Sequence, residues 1–237
     1  MTLFWLLDGL RDQQAIPDCE PLVGLIADRR WMVRHAAIRA LGKCRTPRAE
    51  DVLIHVLERS QDPHDLIYAN ASLALVASTR AIQALRRHIH SRKDDVKASA
   101  LYALSQIDDP RVPPILLDAL TDRSRAAKEY AIRGLHKIGN ASAVPAVCAR
   151  IRAILKRQRK SITVPKTELI VAVDFVARFR KDPQTSLEVE TTLQWVATRW
   201  DYLTLAERAW LSDLLPDLYV GPQTRALQKP RPRRKRK

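Results

Sequence analysis

Val33-Arg-His-Ala-Ala-Ile-Arg-Ala-Leu41 returns three times along the chain in altered form. It aligns without gaps with Ile67-Tyr-Ala-Asn-Ala-Ser-Leu-Ala-Leu75, Val96-Lys-Ala-Ser-Ala-Leu-Tyr-Ala-Leu104 and Ala127-Lys-Glu-Tyr-Ala-Ile-Arg-Gly-Leu135. Each copy opens on an aliphatic residue or Ala, has Ala fifth and Leu ninth, and places Ala or Gly eighth. The starts at 33, 67, 96 and 127 lie 34, 29 and 31 residues apart. A repeat this short signals a stacked architecture. Positions one, five, eight and nine share one face of a helix, and their small residues let a second helix come close. Asp28, Asp62-Pro63, Asp94-Asp95 and Asp122 precede the four segments and suit helix N-termini.

A second apolar pattern follows each copy: Ala49, Val52, Val56; Ile82, Leu85, Ile89; Val112, Ile115, Ala119; Val144, Val147, Ile151. Steps of three and four mark a helix with one buried stripe. Two helices per repeat, joined by short turns, make a hairpin that stacks on its neighbours. Composition agrees: only 6 Gly and 5% aromatic residues argue against sheets. The expected fold is all-α, a right-handed α-solenoid. Leu41, Leu75, Leu104 and Leu135 are expected to be buried at equivalent places.

Ala37-Ile-Arg-Ala-Leu-Gly-Lys43 and Ala131-Ile-Arg-Gly-Leu-His-Lys-Ile-Gly-Asn140, followed by Ala143-Val144-Pro145, resemble HEAT-like repeats of the subtype named after the phycobilisome bilin lyases. The resemblance spans roughly residues 20–155 and speaks for fold far more than for function. It implies the usual occupation of such solenoids, holding a partner, and leaves a bilin lyase-like subunit as a minor alternative. A deoxyhypusine hydroxylase holds its di-iron centre with His-Glu dipeptides, and this sequence has none.

The expected organisation is an N-terminal capping hairpin at 1–28, four repeats at 29–155, a basic linker at 156–166, a C-terminal helical cap at 167–220 and a disordered basic tail at 221–237. Trp195, Trp200 and Trp210 read as a cap with buried apolar bodies rather than as a recognition surface. The formal charge is +15, and the stretch from Arg225 to Lys237 carries eight basic residues and no acidic one, leaving +7 for residues 1–224.

No catalytic constellation stands out. There is no phosphate-binding glycine loop, no cysteine pair at metal spacing and no serine-hydrolase elbow. His88 and His90 point away from each other on a helix, while His35, His55, His64 and His136 fall in separate repeats or loops. The expectation is no metal, no cofactor and no enzymatic activity. Cys19, Cys44 and Cys148 read as buried reduced thiols, which fits the cytoplasm. No apolar run is long enough to cross a bilayer. A monomer is expected.

In stacks of this kind the second helices generally line the concave face. Their residues outside the buried stripe form a mostly basic series of His55, Arg59, Arg86, Arg87, His90, Arg150, Arg152, Lys156 and Arg157, interrupted by Asp51, Glu58 and Asp118. A protein partner on this face is the first expectation. Nucleic acid, contacted through phosphates by this face and by Arg231, Arg233, Arg234, Lys235, Arg236 and Lys237 of the tail, is the second. Ordinary solubilising charge explains the series equally well.

Overall fold

The computed structural model describes residues 2–10, 13, 15–157 and 167–218. The tail residues and most of the basic linker lie outside this set. All regular structure in the described residues is helical. The chain divides into two compact units, Met1–Ala143 and Val144–Lys237. The boundary falls between the two helices expected for the fourth repeat.

The first unit contains α1 (Thr2–Gly9), α2 (Glu20–Val23), α3 (Trp31–Leu41), α4 (Pro47–Arg59), α5 (Pro63–Val76), α6 (Ile82–His88), α7 (Asp94–Leu104), α8 (Val112–Ala119) and α9 (Arg125–Ile138). The starts obey local chemistry. Thr46 accepts a hydrogen bond from Ala49 N at 3.2 Å ahead of Pro47. Asp62 accepts one from His64 N at 2.9 Å ahead of Pro63. Ser124 caps α9 through Ala127 N. Each cap satisfies one of the amides a helix start leaves free.

The first helices α1, α3, α5, α7 and α9 pack in succession, each against the next, and form one continuous layer. The second helices α4, α6 and α8 lie outside it, each leaning on the following first helix, and touch one another far less. Small residues set the spacing of the inner layer. A Cβ on Gly42 would come within 2.7 Å of Ser72 Cβ, and one on Gly134 within 3.0 Å of Ser105 Cβ. All of the second-helix stripe residues from Ala49 to Ile151 are buried as expected.

One expectation fails. Leu75 is 52% exposed, and the buried leucine of α5 is Leu73. The second repeat therefore runs Asp65-Leu-Ile-Tyr-Ala-Asn-Ala-Ser-Leu73, two residues ahead of the aligned segment. Ala69 takes the buried fifth position, while Ala71 lies exposed. Both frames offer an Ala four residues before a Leu, and Ile67 made the wrong one look better because it is aliphatic. Packing selects the frame with Asp65 first, which is tolerable only because Asp65 is paired, as described below. With starts at 33, 65, 96 and 127 the steps become 32, 31 and 31, close to a uniform repeat.

The second unit holds α10 (Val144–Ile154), α11 (Glu168–Ala177), α12 (Ser186–Thr198) and α13 (Leu205–Leu214). Val147, Cys148, Ile151, Val173, Phe175, Val189 and Leu193 form its core. Thr167 caps α11 and donates to Glu207, whose carboxylate also closes a capping box with Thr204. Trp195, Trp200 and Trp210 are half-buried, with the Arg199 guanidinium 5.2 Å above the Trp195 ring. Cys19, Cys44 and Cys148 are buried free thiols, and burial pushes the Cys44 thiol up to about 11.

Candidate functional site

Positions three, four, seven and eleven of α7 and α9, joined by Ile67 at position three of α5, line a groove of about 900 Å³. Tyr102 on α7 and Tyr130 on α9 stand in it, 48% and 36% exposed. Around them are Glu129 and Arg133, paired at 2.9 Å one turn apart, and Lys137, whose ammonium donates to Gln106 Oε1. Ile67 and Ala98 give the floor an apolar stretch. Exposed Leu75 occupies the same register position as Gln106 and Lys137.

This groove belongs to the first helices, and none of the nine basic residues expected from the second helices lines it. His55, Arg59, Arg86, Arg87 and His90 are exposed along α4, α6 and the turn after α6. Arg87 lies 3.5 Å from Glu58 and His90 lies 3.4 Å from Asp118, so acidic neighbours interrupt this series. Arg150, Arg152, Lys156 and Arg157 sit in the second unit. There Arg150 grips Glu168 through two bonds of 2.6 and 2.9 Å, and Arg152 donates to Thr192 at 2.7 Å. Lys156 and Arg157 are exposed beyond α10. The tail residues Arg231 to Lys237 lie outside the described set.

A second constellation joins α3 to α5. Arg34 donates from Nε to both oxygens of Asp65, at 2.9 and 3.0 Å, and from Nη2 to Asp62 Oδ2 at 2.9 Å. Ser60 Oγ adds a bond to Asp65 Oδ2 at 2.8 Å. His35 lies against the same carboxylates, its ring between those of Trp31, His64 and Tyr68. Burial lowers the basicity of His35, against the pull of Asp65 and Asp62. Burial alone would raise the Asp62 carboxyl, but the His64 N–H and Arg34 outweigh it and hold it below its ordinary value. Sequence spacing does not reveal this cluster, because the histidine and the acids belong to different repeats.

The HEAT repeats family model matches residues 2–65 and again 50–128, which together cover more than half of the sequence. The chain belongs to the HEAT-repeat family. Two crystal structures of engineered proteins from the Northeast Structural Genomics Consortium share its fold. The first has a TM-score of 0.55 at 20% identity and covers 86% of this chain and 97% of its own. The second has a TM-score of 0.55 at 18% identity and covers 87% of this chain and 59% of its own. Among curated proteins none matches. At these identities the likeness establishes the α-solenoid alone. No helix of this HEAT-repeat chain, among the described residues, is long and apolar enough to cross a membrane.

Proposed function

We infer that the chain is a non-catalytic HEAT-repeat adaptor that holds a segment of a partner protein in the groove of α5, α7 and α9. HEAT repeats commonly serve as protein-interaction modules. The observation that carries the reading is the exposed pair Tyr102 and Tyr130 beside Arg133. Aromatic residues and arginine concentrate binding energy at protein interfaces, since they desolvate large areas at small entropic cost. The chemistry of the groove also separates proteins from nucleic acids. Asp95 and Glu129 line it together with Arg133 and Lys137, so it has no excess of positive charge for a phosphate backbone. The cytoplasm is the compartment that suits its reduced thiols.

The test is quantitative capture from the native lysate, with and without nuclease. Tyr102→Ala/Tyr130→Ala should lose the partner set retained by the wild-type chain, and nuclease should leave that set unchanged. Retention of the same proteins by the double variant, or their loss on nuclease treatment, contradicts the reading.

A further inference from the structure

We propose that His35, Asp62 and Asp65 form a site for a divalent transition metal, Zn²⁺ by the chemistry of its ligands, that staples the first repeat to the second. The ligand atoms converge. His35 Nε2 lies 3.0 Å from Asp65 Oδ1 and 3.7 Å from Asp62 Oδ2, and the three groups offer atoms all within 4.8 Å of one another. Zinc bound at about 2.0–2.1 Å to an imidazole nitrogen and a carboxylate oxygen sets neighbouring tetrahedral ligands roughly 3.3 Å apart. The two separations from His35 Nε2 bracket that value.

An accounting of lone pairs points to the same place. Each carboxylate oxygen accepts about two hydrogen bonds. Asp65 Oδ2 is filled by Arg34 Nε and Ser60 Oγ, and Asp62 Oδ1, which accepts the His64 N–H, is not the oxygen nearest His35. Asp65 Oδ1 and Asp62 Oδ2 each accept one bond from Arg34 and keep one lone pair. These are the two oxygens that face His35 Nε2. That nitrogen belongs to a residue only 7% exposed, and it has no hydrogen-bond partner despite both short contacts. A buried polar atom in this state carries a desolvation cost unless something binds it.

Charge makes the third point. Arg34 is the one fixed cation against two carboxylates, of which Asp65 is buried. The equivalent cation in the third repeat, Lys97, faces a single half-buried carboxylate, Asp122, at 2.9 Å, while Asp94 at 3.8 Å is exposed. The Lys97 pair is one cation to one enclosed acid, and the Arg34 cluster carries one acid more. A neutral imidazole adds no charge and offers a lone pair from its unprotonated nitrogen. A divalent ion offsets the excess negative charge, turning a net charge of about −1 into about +1, with Arg34 retained as an outer hydrogen-bond partner that orients the carboxylates. Asp62, one-third exposed, gives the ion its way in.

The test uses tag-free full-length protein, stripped with a chelator. It is titrated with Zn²⁺ against a chromogenic zinc indicator and with Co²⁺ followed by visible absorption, and thermal melts are run with and without Zn²⁺. The expected result is one equivalent per chain, a rise in melting temperature and Co²⁺ bands of low-coordinate geometry. His35→Gln and Asp62→Asn should each weaken the affinity by about tenfold or more. Asp62 is partly exposed, so Asp62→Asn preserves the test if the buried change unfolds the chain. Absence of Zn²⁺ uptake by the wild type overturns the site, as does uptake that neither variant weakens, which would place the ion elsewhere. A His35 imidazolium seen by NMR at neutral pH without metal uptake also overturns it and leaves an ordinary ion pair.

Discussion

Arg34 of the first repeat clasps Asp65 of the second, its Nε 2.9 and 3.0 Å from the two carboxylate oxygens. The contact explains how an acid can occupy a position that Val33, Val96 and Ala127 fill in the other repeats. It also implies an asymmetry between its two halves. Removing one member of an enclosed pair strands the other, whereas replacing both by apolar groups of similar size is nearly neutral. Arg34→Ala should cost about 3–5 kcal/mol, and Arg34→Met/Asp65→Leu should recover most of it. Urea unfolding of the two variants checks this. Equal stability of the single and double variants would show that Asp65 is solvated.

The register of α5 is tested by two neighbouring leucines. Leu73, fully buried, should cost about 2–5 kcal/mol when changed to Ala through the cavity it leaves. Leu75→Ala, at an exposed position, should stay within about 0.5 kcal/mol. Chemical denaturation of both variants compares them directly, and the reverse order would restore the frame that begins at Ile67.

That pair also shows what the sequence could and could not disclose. Helical periodicity reports faces, so the second-helix stripes, the all-α class and three of the four first-helix registers were legible. The frame of α5 was not, because Ala69–Leu73 and Ala71–Leu75 satisfy the same pattern and the decision rests on Arg34, one repeat away. The groove among the first helices was not legible either, while the second-helix series His55, Arg59, Arg86, Arg87 and His90 stays exposed. Which layer presents a groove depends on how closely α3, α5, α7 and α9 approach, set by Gly42 against Ser72 and Gly134 against Ser105. The cluster of His35, Asp62 and Asp65 is assembled by that same approach and leaves no mark in spacing along the chain.

His88 gives the fold a defined response to acid. Burial lowers its basicity below the ordinary value of 6.5, although its Nε2 donates to Leu57 O at 3.0 Å. A histidine whose folded basicity is depressed binds its proton more readily when unfolded. Its contribution to stability is therefore complete above pH 6.5 and is lost as the pH falls through that value. His35 acts with the same sign. The urea midpoint should drop from about pH 7.5 to about pH 5, and His88→Gln should flatten the decline. A midpoint that rises over that interval contradicts the burial of both rings.

The basic C-terminal segment predicts a separate, sequence-indifferent affinity for nucleic acid. Eight positive charges between Arg225 and Lys237 can replace counterions on a short DNA duplex. Anisotropy titrations at low and physiological salt should give a steep salt slope that flattens by several contacts when residues 225–237 are removed. If binding survives truncation undiminished, the charges responsible lie in the body, and Arg86→Ala/Arg87→Ala becomes the next variant. Loss of binding with the segment leaves the groove to a protein partner.

The adaptor reading turns on which layer of helices meets the partner, and site-specific photocrosslinking reads this directly. A photoreactive phenylalanine analogue is placed at Tyr102, on the first-helix groove, or at Arg86, on the second-helix face, and irradiated in the native cell. The account predicts discrete protein adducts from position 102 and no equivalent adducts from position 86. Adducts from position 86 with none from position 102 would contradict it.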